Sequence, residues 1–320
     1  MATLSLGVGR FDMAWSHLFP TILAQLQGQP ATSEGAVLFA VRMPRILLAV
    51  LVGAALSASG AAYQGLFRNP LVSPDLLGVA SGASVGACLS MLLGWPTLAT
   101  QVLAFTTGLL AVVAAVFVSS AAGRSVSGGM VILVLAGVVV SSLCSATTAL
   151  LKYLAPEDNT LPEITFWLMG SFARSAGWIN VQLMLVVLLV GITPLMLLRW
   201  SLNVMTFGDL DAAALGLNPT RIRLIVIACS TLLTATAVAM CGVIGWVGLV
   251  IPHLCRFVVG PSFTTLLPAS VLSGGLFMVI VDDLARTMTA GEIPLGVLTA
   301  FVGAPAFILL LRQGRRVWTT

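Results

Sequence analysis

The sequence predicts an all-α polytopic membrane protein, a single transmembrane domain over residues 1–320, and two observations support this. Of the 320 residues, 58% are hydrophobic and 8% are charged, whereas a soluble globular chain carries roughly 25% charged residues. Uncharged apolar intervals also recur along the chain, and an α-helix needs about 20 such residues to cross a bilayer. Lipid is therefore the expected solvent for most of this surface.

About nine spans are predicted from these intervals, with limits at charges and helix-breaking residues. The longest interval, 76–123, divides at Trp95 and Pro96, because an interfacial Trp beside a Pro suits a turn at the membrane surface. A second interval, 224–255, divides near residues 242–248. The predicted spans are 46–67, 76–93, 97–122, 127–151, 178–198, 223–243, 247–260, 264–285 and 295–311. Small residues at helical spacing, including Gly53 with Gly60 and Gly242 with Gly245 and Gly248, predict close packing between helices.

The basic residues predict how the spans are oriented. With the C-terminus inside, nine of the fifteen Lys and Arg residues fall on the inner side, which agrees with the positive-inside rule. These nine are Arg68, Arg124, Arg199, Arg221, Arg223, Arg256, Arg312, Arg315 and Arg316. The N-terminal segment 1–41 and a polar stretch at 152–177 then lie outside, and a second polar stretch at 199–223 lies inside.

Several activities have no support in the sequence. Lys152 is the only lysine and is not part of a phosphate-binding GxxxxGK[ST] loop, so this chain is not expected to hydrolyse ATP or to be an enzyme. Scattered basic residues argue against nucleic-acid binding. The cysteines and histidines lack metal-site spacing, so no metal or other cofactor is predicted. An ion-coupled secondary transporter and a structural membrane protein remain alternatives, although nearly every charge lies at the end of a span rather than within it.

Five strings resemble one family. They are VRMPRILLAVLVGAALSASGAAYQGLFRNPLVSPDLLGVASGA (41–83), FWLMGSF (166–172), ALGLNPTRIR (214–223), GLVIPHLCR (248–256) and EIPLGVLTAFVGAPAFILLL (292–311). In this order they resemble the FecCD-type permeases of type II ATP-binding cassette (ABC) importers for iron siderophores, haem and vitamin B12. The similarity extends from about residue 35 to about residue 315.

The resemblance implies an assembly in the bacterial inner membrane. Two permease subunits, identical or different, pair around a pathway; two ATPase subunits dock inside, and a periplasmic binding protein delivers cargo outside. The expected function is inward movement of a metal chelate by alternating access, with a molybdate-type oxyanion as the alternative cargo. Family members have ten spans, and the first precedes a region resembling residues 4–18, so either this helix is absent here or the true start lies upstream.

The same resemblance implies roles for individual residues. Arg42, Arg45 and Arg286 correspond to arginines that dock the binding protein through its glutamates, although interfacial arginines that only reach toward water are the alternative. Asn69 and Leu71 correspond to a cytoplasmic gate, or else to a loop that needs its Pro. A second gate is formed by Met130 and Val131.

The inner stretch 199–223 resembles the family's paired coupling helices, which fit a groove on the ATPase; a solvated loop is the alternative. The coupling residues are Asp209, Asp211, Ala212, Ala213, Leu215, Gly216 and Asn218. Asp209 and Asp211 are expected to cap the short helix that presents Ala212 to Leu215. His253 is expected to be structural rather than a ligand for haem or metal.

Overall fold

The computed structural model describes residues 2–7, 19–23, 27, 32–121, 130–289 and 291–314. In this part of the chain, helices are joined by turns and there is no β-strand. The helices that form the bundle and its surface are α1 (Ala2–Gly7), α2 (Met43–Leu66), α3 (Val79–Leu92), α4 (Thr97–Ala121), α5 (Met130–Leu154), α6 (Thr160–Leu168), α7 (Trp178–Leu197), α8 (Arg199–Met205), α9 (Asp209–Ala214), α10 (Pro219–Cys241), α11 (Val247–Val259), α12 (Phe263–Thr287) and α13 (Leu295–Gly314). Arg124, Arg315, Arg316 and most of the N-terminal region 8–31 lie outside the described residues.

Nine of these helices coincide with the nine predicted spans, which confirms the fold class. Six helical segments are long and apolar enough to cross a membrane, while α3, α11 and α13 are shorter apolar helices. The shortest, α11, has 13 residues, which reach about 20 Å at 1.5 Å per residue and fall short of a hydrocarbon core of about 30 Å. Its length is therefore that of a partial span.

The first span begins earlier than predicted. A short helix, Ser33–Ala36, and a π-helical turn, Val37–Arg42, continue directly into α2. Hydropathy placed the start at residue 46 because Arg42 and Arg45 interrupt the apolar interval. The structure carries the helix through both arginines, since each finds a polar partner within the protein.

Helix α2 is the centre of the bundle and packs against α7, α10, α11 and α12. Two glycines allow its closest contacts. A Cβ atom on Gly53 would lie 2.1 Å from the backbone oxygen of Gly274 in α12, and one on Gly60 would lie 1.8 Å from that of Gly248 in α11. Only glycine permits such backbone contact. The predicted small-residue packing is therefore confirmed here, whereas Gly245 faces open space.

A second group of helices, α3, α4 and α5, packs beside this centre and joins it through α10. Helix α5 is the least covered of the long spans, and most of its exposed side chains are apolar, although Ser142, Ser145 and Thr147 are also exposed. Leu135, Val138, Val139 and Leu143 each leave more than half of their surface exposed. In lipid or against another subunit such a face is favourable, whereas in water it would not be.

The bundle has two ends that carry polar residues. The Arg45 end contains the start of α2, the end of α12 and the turn before α13, and the Arg68 end contains the end of α2, α8, α9 and the start of α12. Near the Arg45 end, the turn after α6 is held by backbone bonds: Ser171 N donates to Cys241 O at 2.8 Å, and Leu295 N donates to Gly170 O at 2.9 Å. These bonds attach α6 to the end of α10 and to the start of α13.

Candidate functional site

A buried ion cluster lies at the Arg45 end and contains the three predicted docking arginines. Arg42 and Arg45 lie where the π-helical turn meets α2, with Pro44 between them in the first turn. Arg286 lies in the last turn of α12, four residues after Asp282. Because α2 packs along α12 in the opposite direction, the start of one helix meets the end of the other.

Arg45 makes the best-ordered contacts of this cluster. Its Nε and Nη2 donate to Asp282 Oδ1 at 2.9 and 2.8 Å, and its Nη1 and Nη2 donate to the two carboxylate oxygens of Glu292 at 2.8 and 2.9 Å. A planar guanidinium suits two carboxylates in this way. Arg45 therefore joins α2, α12 and the turn before α13.

The other two arginines extend the cluster to the N-terminal helix. Arg286 Nε lies 3.1 Å from Asp282 Oδ2, and its Nη2 also pairs with Asp283. Ser5 of α1 accepts from Arg286 Nη2 at 3.1 Å and donates to Asp283. Arg42 donates to the backbone oxygen of Leu6. Helix α1 is thereby fixed against the start of α2 and the end of α12.

Burial sets the chemistry of these arginines. Arg42, Arg45 and Arg286 are 4%, 6% and 8% exposed, so their charges are balanced within the chain rather than by water. A docking carboxylate would have to compete with Asp282 and Glu292 for Arg45. The docking role stays a prediction, and the structure adds a structural role for the same residues.

Two members of the cluster were not identified from sequence. Ser5 gave no signal, and Glu292 was noted only as the first letter of EIPLGVLTAFVGAPAFILLL. A useful signal did exist, because Glu292 is an acid that immediately precedes an apolar span at the side assigned to Arg45. A carboxylate in that position needs a cation at the same depth.

The predicted gate residues Asn69 and Leu71 lie in the turn that ends α2 at the Arg68 end. Arg68 has a positive φ of 50°, and Asn69 N donates back to Gln64 O at 3.1 Å. The Asn69 side chain then accepts from Leu71 N at 2.9 Å, a local bond typical of Asn in turns. Asn69 therefore shapes the turn, and Leu71 projects from it with 51% of its surface exposed.

The second predicted gate pair begins α5. Met130 packs partly against the main core, whereas Val131 is 72% exposed. The turn after α2 contacts α5 two helical turns further along, since a Cβ atom on Gly137 would lie 2.4 Å from Leu76 O. Both predicted gates therefore lie near one end of the bundle, and their gating role stays a prediction.

Asp75 lies in the same turn and organises the start of α3. Its Oδ1 accepts from Ala80 N at 2.6 Å and its backbone oxygen accepts from Gly78 N at 2.8 Å. Burial disfavours the charged form and raises the pKa of the Asp75 carboxyl to about 6, although backbone N–H groups act in the opposite direction. This carboxyl titrates nearer to neutrality than an ordinary aspartate.

The predicted coupling stretch forms two short helices, α8 and α9, followed by a capped start of α10. Asn218 accepts from Arg221 N at 3.0 Å as the N-cap of α10. The expected capping by Asp209 and Asp211 is wrong: Gly208 occupies the N-cap of α9, with no side-chain bond, and both aspartates lie in the first turn. Asp209 instead pairs with the buried Arg223 of α10. Leaving this buried guanidinium without a carboxylate would cost more free energy than leaving the exposed start of α9 without a side-chain cap.

Helix α9 exposes a different surface from the one expected. Ala212 is fully buried, whereas Leu210 and Leu215 are 87% and 61% exposed, and Ala213 is also exposed. Gly216, with φ of 80°, ends the helix by donating to Ala213 O at 3.0 Å. The apolar contact surface is therefore centred on the two leucines, and Leu210 was missed from sequence.

His253 is 7% exposed in α11. Its ring lies 5.4 Å from that of Phe257 and 6.3 Å from that of Phe307, in edge and tilted arrangements. Among the described residues, no group of three His, Cys, Asp or Glu side chains is arranged to hold a metal ion. The position is that of an aromatic packing contact between α11 and α13.

Comparison with known proteins identifies the family. The FecCD transport family profile matches residues 1–313. The molybdate import system permease protein MolB of Haemophilus influenzae is 40% identical, with 98% of this chain and 93% of that protein covered. The cobalamin import system permease protein BtuC of Halobacterium salinarum is 38% identical over 98% of this chain and 83% of that protein. The hemin transport system permease protein HmuU of Yersinia pestis is 38% identical over 85% and 82%.

Solved structures agree with this result. An inward-facing putative metal-chelate type ABC transporter is 38% identical, covers 98% of this chain and 95% of its own, and superposes with a TM-score of 0.87. PsaBC from Streptococcus pneumoniae, at 18% identity and a TM-score of 0.62, shares the fold. The expected resemblance is confirmed over almost the whole chain. The chain belongs to the FecCD transport family and is a multi-pass permease of the ABC importer class.

Proposed function

We propose that this permease moves a metal chelate, such as a ferric siderophore, haem or cobalamin, into the bacterial cytoplasm by alternating access. It acts with a second permease subunit, two ATPase subunits and a periplasmic binding protein, in the inner membrane. The observation that carries the proposal is the pair of exposed leucines on α9, because a rigid apolar projection beside the predicted gate turn suits a docked motor. The Arg45 end is then periplasmic and the Arg68 end cytoplasmic.

The sequence itself supports separate motor subunits. No phosphate-binding loop is present in the sequence, so energy has to be delivered through contact. Ala212 is buried against the bundle while Leu210 and Leu215 face outward. Movement of a partner bound to these leucines would therefore be transmitted to α10 and to the turn that contains Asn69.

A metal chelate suits the surfaces available to line a pathway. The exposed side chains of α5 and of residues 295–308 in α13, including Val139, Leu143 and Phe301, are mainly apolar and carry no charge, so they offer little affinity to any particular cargo. Large chelates can move along such a surface without binding to it tightly, so the binding protein sets the selectivity. Iron chelatin, cobalamin and hemin permeases are among the relatives.

A molybdate-type oxyanion is the second candidate cargo, favoured by a specific observation. The molybdate permease MolB matches 98% of this chain at 40% identity. The mainly apolar faces of α5 and α13 also release a small anion readily, because no exposed cation is described on them.

Reconstitution in liposomes tests both candidates. The chain is combined with its neighbouring ATPase and binding protein, and uptake of ferric siderophore, haem, cobalamin or molybdate is measured with and without ATP. We expect uptake of one cargo only with ATP and only with an ATPase that can hydrolyse it. Uptake driven by an ion gradient without ATP would overturn the proposal.

Docking of the binding protein is tested at Arg42, which donates to the backbone oxygen of Leu6, rather than at Arg45, which bonds the carboxylates of Asp282 and Glu292. Arg42→Glu is expected to weaken docking and to increase its sensitivity to salt. Arg174→Glu is the control, because Arg174 forms an exposed ion pair with Glu163 and is not a predicted docking residue. Equal docking affinities in the two variants would contradict the assignment.

A further inference from the structure

A cavity of about 720 Å³ lies at the Arg68 end, between the turn after α2, helix α8 and the junction of α11 with α12. Two arginines line it, Arg68 from the turn and Arg256 from α11, and no Asp or Glu is among its lining residues. Within the described part of the chain, neither guanidinium forms an ion pair or donates a side-chain hydrogen bond. Asp211 also approaches Gly208 beside Arg68, but its carboxylate is not within ion-pairing distance of that guanidinium. The cavity therefore has an excess of positive charge.

The backbone at Arg68 supports a role for its side chain. With φ of 50°, Arg68 occupies the left-handed region at the end of α2, a position where glycine is usual and other residues cost roughly 1 kcal/mol. Such strain is found where a side chain is needed in a defined place. In this case it places a guanidinium on the cavity wall.

We propose that this cavity binds a phosphate ester, with Arg68 and Arg256 on the phosphate. Guanidinium groups pair with phosphate oxygens through two parallel bonds. Two sources supply this chemistry: the headgroup of phosphatidylglycerol in the membrane, or a soluble ester such as glycerol 3-phosphate. Phe257 and Val258, beside Arg256, are 45% and 83% exposed and offer an apolar surface to acyl chains.

The bound ester would contact two elements that have predicted roles. The cavity wall includes Asn69 and Pro70 of the predicted gate turn, together with Asn203 and Phe207 from the predicted coupling stretch. A phosphate held between them joins the turn to α8. This inference does not require the proposed cargo or the ATPase to be correct.

Native mass spectrometry of the full-length chain in detergent tests the site, with phosphatidylglycerol as the probe. We expect Arg68→Gln and Arg256→Gln each to reduce retained phosphatidylglycerol by about tenfold or more, the size of one lost charge-assisted contact. Arg221→Gln is the matched control, since Arg221 is an exposed arginine at the same end and does not line the cavity. Equal retention in all four proteins, or equal loss in the control, would overturn the proposal.

Two further experiments identify the source of the ligand and control for misfolding of the variants. Glycerol 3-phosphate, added to protein in neutral lipid, should stabilise the chain through Arg68 only if the natural source is soluble. If a Gln variant does not fold, Arg68→Lys and Arg256→Lys keep the charge but lose the paired geometry, and undiminished retention in both would refute the site.

Discussion

Replacing Arg45 with glutamine tests whether the buried ion cluster stabilises the bundle. The change removes the guanidinium bonds to Asp282 and Glu292, which measure 2.8 to 3.2 Å. Asp282 is 1% exposed and would keep only Arg286, whose Nε is 3.1 Å away. Breaking a buried ion pair from one side costs about 3–5 kcal/mol. Since Glu292 is 32% exposed and can turn to water, we expect a loss near the lower limit, about 3 kcal/mol.

Unfolding of the detergent-purified protein measures this loss, with Arg174→Gln as control. Arg174 pairs with Glu163 at the Arg45 end, but both side chains are 42% exposed, so the control should lose no more than about 1 kcal/mol. Adding Asp282→Asn to Arg45→Gln should recover part of the loss, because the unpaired buried charge is removed. Equal stability of the two single variants would refute the reasoning.

Three further predictions concern other parts of the molecule. Asp75→Asn should flatten the pH dependence of stability. The pKa of the Asp75 carboxyl is raised from 3.8 to about 6 in the folded protein. The stabilisation that comes from burying this carboxyl in its protonated form is therefore complete below pH 3.8 and is lost as pH rises through 6. Between pH 5 and 8 wild type should lose about 1–1.5 kcal/mol more than the variant, and parallel melting curves would contradict this. Gly60→Ala should cost about 1–3 kcal/mol by separating two backbones, whereas Gly245→Ala, with open space around it, should be nearly neutral; equal melting temperatures would refute the contact. Leu210→Ser should leave unfolding almost unchanged, since the side chain is 87% exposed, yet uncouple ATP hydrolysis from uptake in liposomes; normal coupling would exclude Leu210 from the motor contact.

The spans were predictable because lipid imposes one simple requirement. A helix in a bilayer satisfies its own backbone groups and presents apolar side chains, so an uncharged interval is enough to locate it. The partial span α11 was placed at 247–260 and is found at Val247–Val259. Its one glycine, Gly248, was recognised as a packing residue from its helical spacing to Gly242 and Gly245.

The ion cluster and the start of the first span were not predictable in this way. A hydropathy average includes only residues that are neighbours in sequence, whereas Arg45 is neutralised by Asp282 and Glu292, which are more than 230 residues away in the chain. The arginines were therefore taken as the outer limit of the span, although Val37–Arg42 continues the helix. The helix Thr160–Leu168 was missed because it lies in a polar stretch whose structure depends on its contacts.

The backbone contact between Gly53 and Gly274 restricts how the molecule can move. Two helices whose main chains touch, with no side chain between them, cannot slide past each other without first separating. The two helices therefore form one rigid unit, and α10 and α11 pack against it. Any rearrangement of the bundle must therefore move α2 and α12 together.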